Sequence, residues 1–221
     1  MTQIKMLTED QERALLIALC DESKAVQMDS GAGRTVFDVY PDTFVGLGID
    51  VPCTCVVKVA LGIPGMNQNE VECNAYENYI DLGYPLARIF YRGQFVEIME
   101  RVTILESDCG RDYDEYSSAD EFADAKYDEG LSDEVLYDIW NTAARLEDIN
   151  GSTGDNGQLG YNDANELVAY DYGYEANSTT SFCSDLDGNN LEDMQLYIPQ
   201  LAQLVGSDSA YISDLEAQLI Q

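Results

Sequence analysis

Cys55-Val-Val-Lys-Val-Ala-Leu61 is an apolar run broken once, by Lys58, one of only four lysines in the chain (Lys5, Lys24, Lys58, Lys126). Its β-branched character over residues 56–61 predicts a strand. A lysine in the middle of such a strand is expensive to bury unless something compensates its charge, so Lys58 requires an anion. The flanking segments supply a context for one. Upstream, Ser30-Gly-Ala-Gly-Arg-Thr-Val-Phe37 is a glycine-rich turn running into a strand. Downstream, Gln68-Asn-Glu-Val-Glu72 brings a carboxylate, with Glu72 as the candidate and Glu70 as its competitor.

Outward from that run the elements follow in order. Thr8 caps a leading helix over residues 8–20 that has an acidic first turn. Residues 25–51 read as strand and turn, with alternation at 35–40 and glycines at Gly31, Gly33, Gly46 and Gly48. A helix is predicted over 67–82, with Val71, Ala75 and Tyr79 on one face and Glu72 and Tyr76 beside them. Strands over 85–91 and 94–102 are joined at Arg92-Gly93 as in a hairpin. Residues 106–130 form a solvated acidic connection with room for one exposed helix. A serine-capped helix over 132–146, a hairpin closing on 167–173, and acidic amphipathic helices near 191–205 and 208–219 complete the reading. The class is α+β, divided into a β-rich part (1–104), the acidic connection (105–130) and a helical part (131–221).

The chain has 221 residues, 45% of them hydrophobic, enough to bury a core. Its 42 acidic against 11 basic residues give a net charge of −31. Self-repulsion of that size is tolerable where salt screens it, so the composition predicts a halophilic source. It excludes a phosphate-backbone partner, since nucleic-acid binding needs basic surface, and disfavours an anionic membrane surface. No stretch reaches the length of a membrane span, and the first ten residues lack the apolar core of a signal peptide. The expected location is the cytoplasm of a high-salt host, or a virion. Six cysteines (Cys20, Cys53, Cys55, Cys73, Cys109, Cys183) with no histidine make a poor zinc site and are expected as buried thiols. Asp185-Leu-Asp-Gly-Asn-Asn-Leu-Glu192 lacks half of a calcium-loop register and reads as a turn.

Asp155-Asn-Gly-Gln-Leu-Gly-Tyr161, followed by Glu166-Leu-Val-Ala-Tyr-Asp-Tyr-Gly173, resembles the catalytic loop and metal-binding motif of the protein-kinase-like fold. Asp-Tyr-Gly in place of Asp-Phe-Gly is similar to the usage of small Ser/Thr-kinase-like proteins of tailed viruses and of atypical kinases. The resemblance extends as an ordered series from Gly31 to Gly173. It implies a two-lobed architecture with a β-rich N-lobe and a reduced helical C-lobe, binding ATP and Mg2+. Gly31 and Gly33 look like the phosphate loop, Lys58 like the phosphate-contacting lysine and Glu72 like its helix partner. Met99 resembles the residue gating the nucleotide pocket, with the backbone of Glu100 and Val102 facing adenine. Asn156 and Asp171 correspond to the metal ligands, and Asp148 to the residue that orients the acceptor hydroxyl.

Two departures bear on activity. The base aspartate belongs five residues before the metal asparagine, where this chain has Gly151; Asp148 lies three residues earlier and serves only if residues 150–154 hold an insertion. The roughly fifty residues after Gly173 leave little room for an activation segment and a peptide-docking lobe. The expected function is therefore phosphoryl transfer to a Ser/Thr or small-molecule acceptor. The alternative is a catalytically degenerate module that binds nucleotide or an assembly partner, including within a haloarchaeal virus particle. An unrelated acidic α+β interaction protein is the third reading.

Overall fold

A computed structural model of the chain describes residues 3–30, 34–60, 63–105, 115–127, 130–147 and 158–172. They are mixed α and β, as expected. The main sheet has six strands, β1 (Lys5–Met6), β2 (Ala25–Ser30), β3 (Arg34–Val39), β4 (Cys55–Ala60), β5 (Ile89–Arg92) and β6 (Val96–Glu100), in the order β1-β5-β6-β4-β3-β2. Neighbours are antiparallel except β1, which runs parallel to β5. The chain divides into two compact units, one within Ile4–Glu70 and Ile89–Glu100, the other within Val71–Arg88 and the described part of Arg101–Asn177.

In the first unit α1 (Glu9–Ala18) starts where Thr8 predicts: the Gln11 N–H donates to Thr8 Oγ1 at 3.2 Å and the Thr8 N–H to Gln11 Oε1 at 3.1 Å, a complete capping box. Leu15 and Leu16 of α1 are buried in one cluster with Phe37 and Val39 of β3, Val57 and Val59 of β4, and Val96 and Ile98 of β6. Side chains alternate across a strand, so these residues define the core face of the sheet. Residues 41–46, read from sequence as strand and turn, instead form α2 (Pro41–Gly46). Pro41 at its start has φ preset for a helix, and Phe44 fixes the turn in the core.

Helix α1 also ties down the β5–β6 hairpin. Glu12 is 3% exposed, and its carboxylate accepts the N–H groups of Gln94 (3.0 Å), Phe95 (2.7 Å) and Val96 (3.1 Å). A Cβ on Gly93 would collide with that carboxylate, so the glycine is required by close approach.

In the second unit β7 (Thr103–Ile104), β8 (Leu159–Tyr161) and β9 (Leu167–Ala169) form a three-stranded antiparallel sheet. A Cβ on Gly160 would sit 2.7 Å from the Thr103 carbonyl oxygen, which explains a glycine in β8. Helices α4 (Ala119–Ala125) and α5 (Asp133–Glu147) pack together. Leu136, Ile139, Ala143 and Leu146 recur at helical spacing on the buried face of α5. The helix expected to lie exposed in the acidic connection, α4, buries Phe122 fully, with the Tyr116 ring edge-on at 5.4 Å. Helix α3 (Ile63–Tyr79) begins one turn earlier than predicted and ends in a 3-10 turn over Ile80–Leu82, closed by Gly83 at φ 80°. The two C-terminal helices predicted from sequence lie outside the described residues. No helix among the described residues is long and apolar enough to cross a membrane.

Candidate functional site

Lys58 lies in mid-strand, as expected, and only 4% exposed. Alternation sends it to the face of β4 opposite Val57 and Val59, away from the cluster around α1. Ladder register identifies what shares that face. Val36 of β3 and Glu97 of β6 stand directly opposite Lys58, Arg34 opposite Ala60, and Met99 opposite Val56. One face of the sheet is thus mostly apolar, with Thr35 and Glu100 also on it, and the other carries Arg34, Lys58, Glu97 and Met99, all buried. Asn69 of α3 fastens this face: its Oδ1 accepts from Arg34 Nη1 and its Nδ2 donates to the Phe95 carbonyl, both at 3.3 Å. Strands β2 and β3 form a hairpin with Ser30 opposite Thr35. Gly31 and Gly33, at its tip in sequence, lie outside the described residues.

The α3 face turned inward carries Met66, Asn69, Glu72, Cys73 and Tyr76, all buried. This corrects the predicted face: Val71, Ala75 and Tyr79 are half-buried. Hydrophobicity misleads here, because the positions at the buried spacing include an amide and a carboxylate that find partners. Glu72 is 0% exposed whereas Glu70 is exposed.

Glu72 and the Asp171-Tyr172 pair meet in the second unit, Gly173 lying outside the described residues. The Tyr172 N–H donates to Glu72 Oε1 at 3.2 Å across 100 positions of sequence. The Tyr172 side chain is buried and its hydroxyl donates to the Ala87 carbonyl at 2.9 Å. Below it, Leu86 and Ala169 form a parallel bridge, with Ala87 N–H to Ala169 O at 2.8 Å and Ala169 N–H to Pro85 O at 2.9 Å. Asp171, half-buried, therefore projects from backbone fixed immediately before and after it.

Of the remaining predicted site residues, Glu100 ends β6 and is buried, Val102 is half-buried, and the boundary between the units falls at Arg101. Asp148 and Asn156 lie outside the described residues. Among the described residues no group of three or more Cys, Asp or Glu side chains is arranged to hold a metal ion. Asp171 is thus the one described metal-ligand candidate.

Cys20, Cys53, Cys55 and Cys73 are free thiols, as expected, Cys55 and Cys73 being fully buried. A groove of about 610 Å³ is lined by Leu19, Cys20, Val26 and Phe37 among others, and contains none of the predicted site residues. Burial pushes the Cys20 thiol up, away from the reactive thiolate. Sequence reading missed Glu97 and Glu12. Both are buried carboxylates; Glu97 lies in an apolar stretch, the same signal that singled out Lys58, and Glu12 finds three backbone partners on another element. Neither a protein-family model nor a curated protein matches this chain.

Proposed function

We propose that this chain is a protein-kinase-like module that binds Mg-ATP and transfers its terminal phosphoryl group to a Ser/Thr or small-molecule acceptor. The observation that carries this reading is the hydrogen bond from the Tyr172 N–H to the fully buried Glu72 carboxylate. It joins the helix glutamate to the Asp-Tyr-Gly segment, two of the motifs that the resemblance picked out independently. The order of elements supports the same reading: a hairpin with glycines at its tip, the lysine strand β4, the glutamate helix α3, then the hairpin β5–β6 that ends at Glu100.

In this reading Gly31 and Gly33 admit the phosphates to the backbone, Lys58 contacts the phosphates, and Glu72 anchors the backbone that presents Asp171. Met99 and the backbone of Glu100 and Val102 form the adenine side. For magnesium the donor chemistry fits, since Asp171 offers a carboxylate held on fixed backbone and Asn156 an amide oxygen. The bound nucleotide supplies the transferable phosphoryl group, and the protein contributes position and charge. Asp148 orients the acceptor hydroxyl. A high-salt host or a virus infecting one supplies the salt that the acidic surface requires.

The test is calorimetric Mg-ATP binding and γ-phosphate transfer in molar KCl, comparing wild type with Lys58→Met and Asp171→Asn. The reading requires that wild type binds and transfers, and that each substitution abolishes transfer. Gly151 at the usual base position favours a second reading, a binding or structural module, which binding without transfer would establish. Absence of binding in wild type would reject the nucleotide reading altogether.

A further inference from the structure

Arg34 directly follows Gly31-Ala-Gly33 in sequence, and the kinase resemblance gives it no role. It opens β3 and is 6% exposed, a depth that arginine reaches only with polar partners. Ladder register sets its neighbours. Arg34 stands opposite Ala60 of β4, and Val36, the next residue of β3 on the same face, stands opposite Lys58. Arg34 and Lys58 are thus diagonal cross-strand neighbours, roughly 7 to 8 Å apart, so that two long side chains can reach one group. The carboxylates of this face lie in rows nearer Lys58: Glu97 stands opposite it, with Arg92 beyond, and Asp38 is four residues or about 13 Å along β3 from Arg34.

Asn69 of α3 orients the guanidinium. Its Oδ1 accepts from Arg34 Nη1 and its Nδ2 donates to the Phe95 carbonyl, both at 3.3 Å, and that carbonyl also accepts the Ala60 N–H at 2.8 Å. The amide is itself 7% exposed and held at both ends. Being neutral, it directs the guanidinium without cancelling its charge, and it engages one of the N–H donors that a guanidinium presents in a planar fork. Such a fork matches two oxygens of a phosphate.

We propose that Arg34 is a second phosphate-binding residue beside Lys58, with Asn69 as its positioning residue, and that the two cations together select a polyphosphate chain over a single phosphate. The role rests on the nucleotide reading made under Proposed function and deepens it. A glycine-rich phosphate loop of this class has a third glycine where this chain has Val36, whose side chain denies the close backbone approach that glycine permits. A side-chain cation at Arg34 supplies what the backbone does not.

The test measures calorimetric binding of Mg-ATP, inorganic tripolyphosphate, inorganic phosphate and adenosine in molar KCl by wild type, Arg34→Gln, Arg34→Lys and Asn69→Ala. Wild type should bind tripolyphosphate more tightly than inorganic phosphate. Arg34→Gln should bind Mg-ATP and tripolyphosphate roughly tenfold more weakly or worse, Asn69→Ala about fivefold more weakly, and Arg34→Lys, which keeps the charge but lacks the fork, should lose less than Arg34→Gln. Adenosine affinity should stay within about twofold of wild type in all three, because adenosine carries no phosphate for the fork to hold. Tripolyphosphate bound as tightly by Arg34→Gln as by wild type, or no more tightly than inorganic phosphate by wild type, overturns the proposal. An adenosine affinity that falls in step with that for Mg-ATP also overturns it, since Arg34 and Asn69 would then serve the fold alone. Should Arg34→Gln fail to fold, Arg34→Lys and Asn69→Ala decide by the same comparison of polyphosphate with adenosine. Tripolyphosphate bound through Arg34 by a wild type that binds neither Mg-ATP nor adenosine rejects the enzymatic reading and keeps the anion site. Mg-ATP bound equally by wild type and Arg34→Gln rejects Arg34 alone, and a wild type that binds none of the four rejects both.

Discussion

Single residues in this chain hold segments far apart in sequence, and their removal has predictable signs. Glu12 is the clearest case, since one carboxylate accepts three backbone N–H groups of the β5–β6 turn. Glu12→Ala strands those donors in the interior and is expected to lower unfolding free energy by about 3 kcal/mol or more, read by denaturant titration in molar KCl. Tyr161 behaves differently because its effect appears only with pH. Burial raises its hydroxyl first, and the negative charges of Asp138 and Glu134 raise it further. A phenol whose folded value is raised contributes stability that is fully present below the ordinary tyrosine value of about 10 and is lost as pH rises through the folded value. Tyr161→Phe should therefore flatten the alkaline limb of the stability curve above pH of about 10 and leave neutral stability nearly unchanged. An alkaline limb as steep in the phenylalanine variant as in wild type would remove Tyr161 from that account.

At the scale of elements, what a sequence can show is local pattern, and the division between legible and illegible parts follows that line. Helix α1 was legible because Thr8, the acidic first turn and the apolar spacing lie within a dozen residues. Strand β4 was legible from its apolar run, and its lysine from the expense of burying it. Strand β1 was not, since it is two residues long and pairs with β5 some eighty-six positions away, leaving no periodicity to read. The inward face of α3 was misread because Asn69 and Glu72 occupy it, and their fitness for burial depends on partners at Arg34, Phe95 and Tyr172. Likewise the alternation of β6 places Glu97 on a face, but only the register with β4 shows that the face is shared with Lys58. The β5–β6 turn gives an element-level test of such tertiary constraint. Gly93→Ala should destabilise by about 2 kcal/mol through displacement of the Glu12 carboxylate. Combined with Glu12→Ala, the glycine substitution should add little, because the obstruction is then already gone, and a double-mutant cycle reads the coupling. In α4, Phe122→Ala should cost about 3 to 4 kcal/mol, well beyond what an exposed helix in a solvated connection would register.

For the molecule as a whole, charge and burial pull in opposite directions. A net charge of −31 on 221 residues generates repulsion that folding concentrates, while the core around Leu15, Phe37, Val57 and Ile98 is no larger than an ordinary small domain's. At the surface Lys24 pairs with Asp21 three positions away at 3.3 Å, with both side chains about half exposed, and exposed pairs of this kind are worth little. Two cations, Arg34 and Lys58, are instead spent inside the first unit, on the face of the sheet that carries the candidate chemistry. Eleven basic residues against 42 acidic ones leave most of the repulsion to be relieved by screening. Screening shortens to about 3 Å at molar ionic strength, which suppresses repulsion between surface carboxylates and acts far less on buried charges. The thermal midpoint should consequently rise steeply between about 0.1 and 2 M KCl, and the rise should be reproduced by NaCl at equal ionic strength. Charge neutralisation offers the decisive control. Converting six exposed carboxylates to their amides, chosen away from Glu12, Glu72, Glu97, Glu100 and Asp171, should raise stability at low salt and flatten the salt dependence. A salt dependence that survives neutralisation unchanged would locate its origin in buried charged groups such as Arg34 and Lys58, and would mean that surface repulsion is not what the salt relieves.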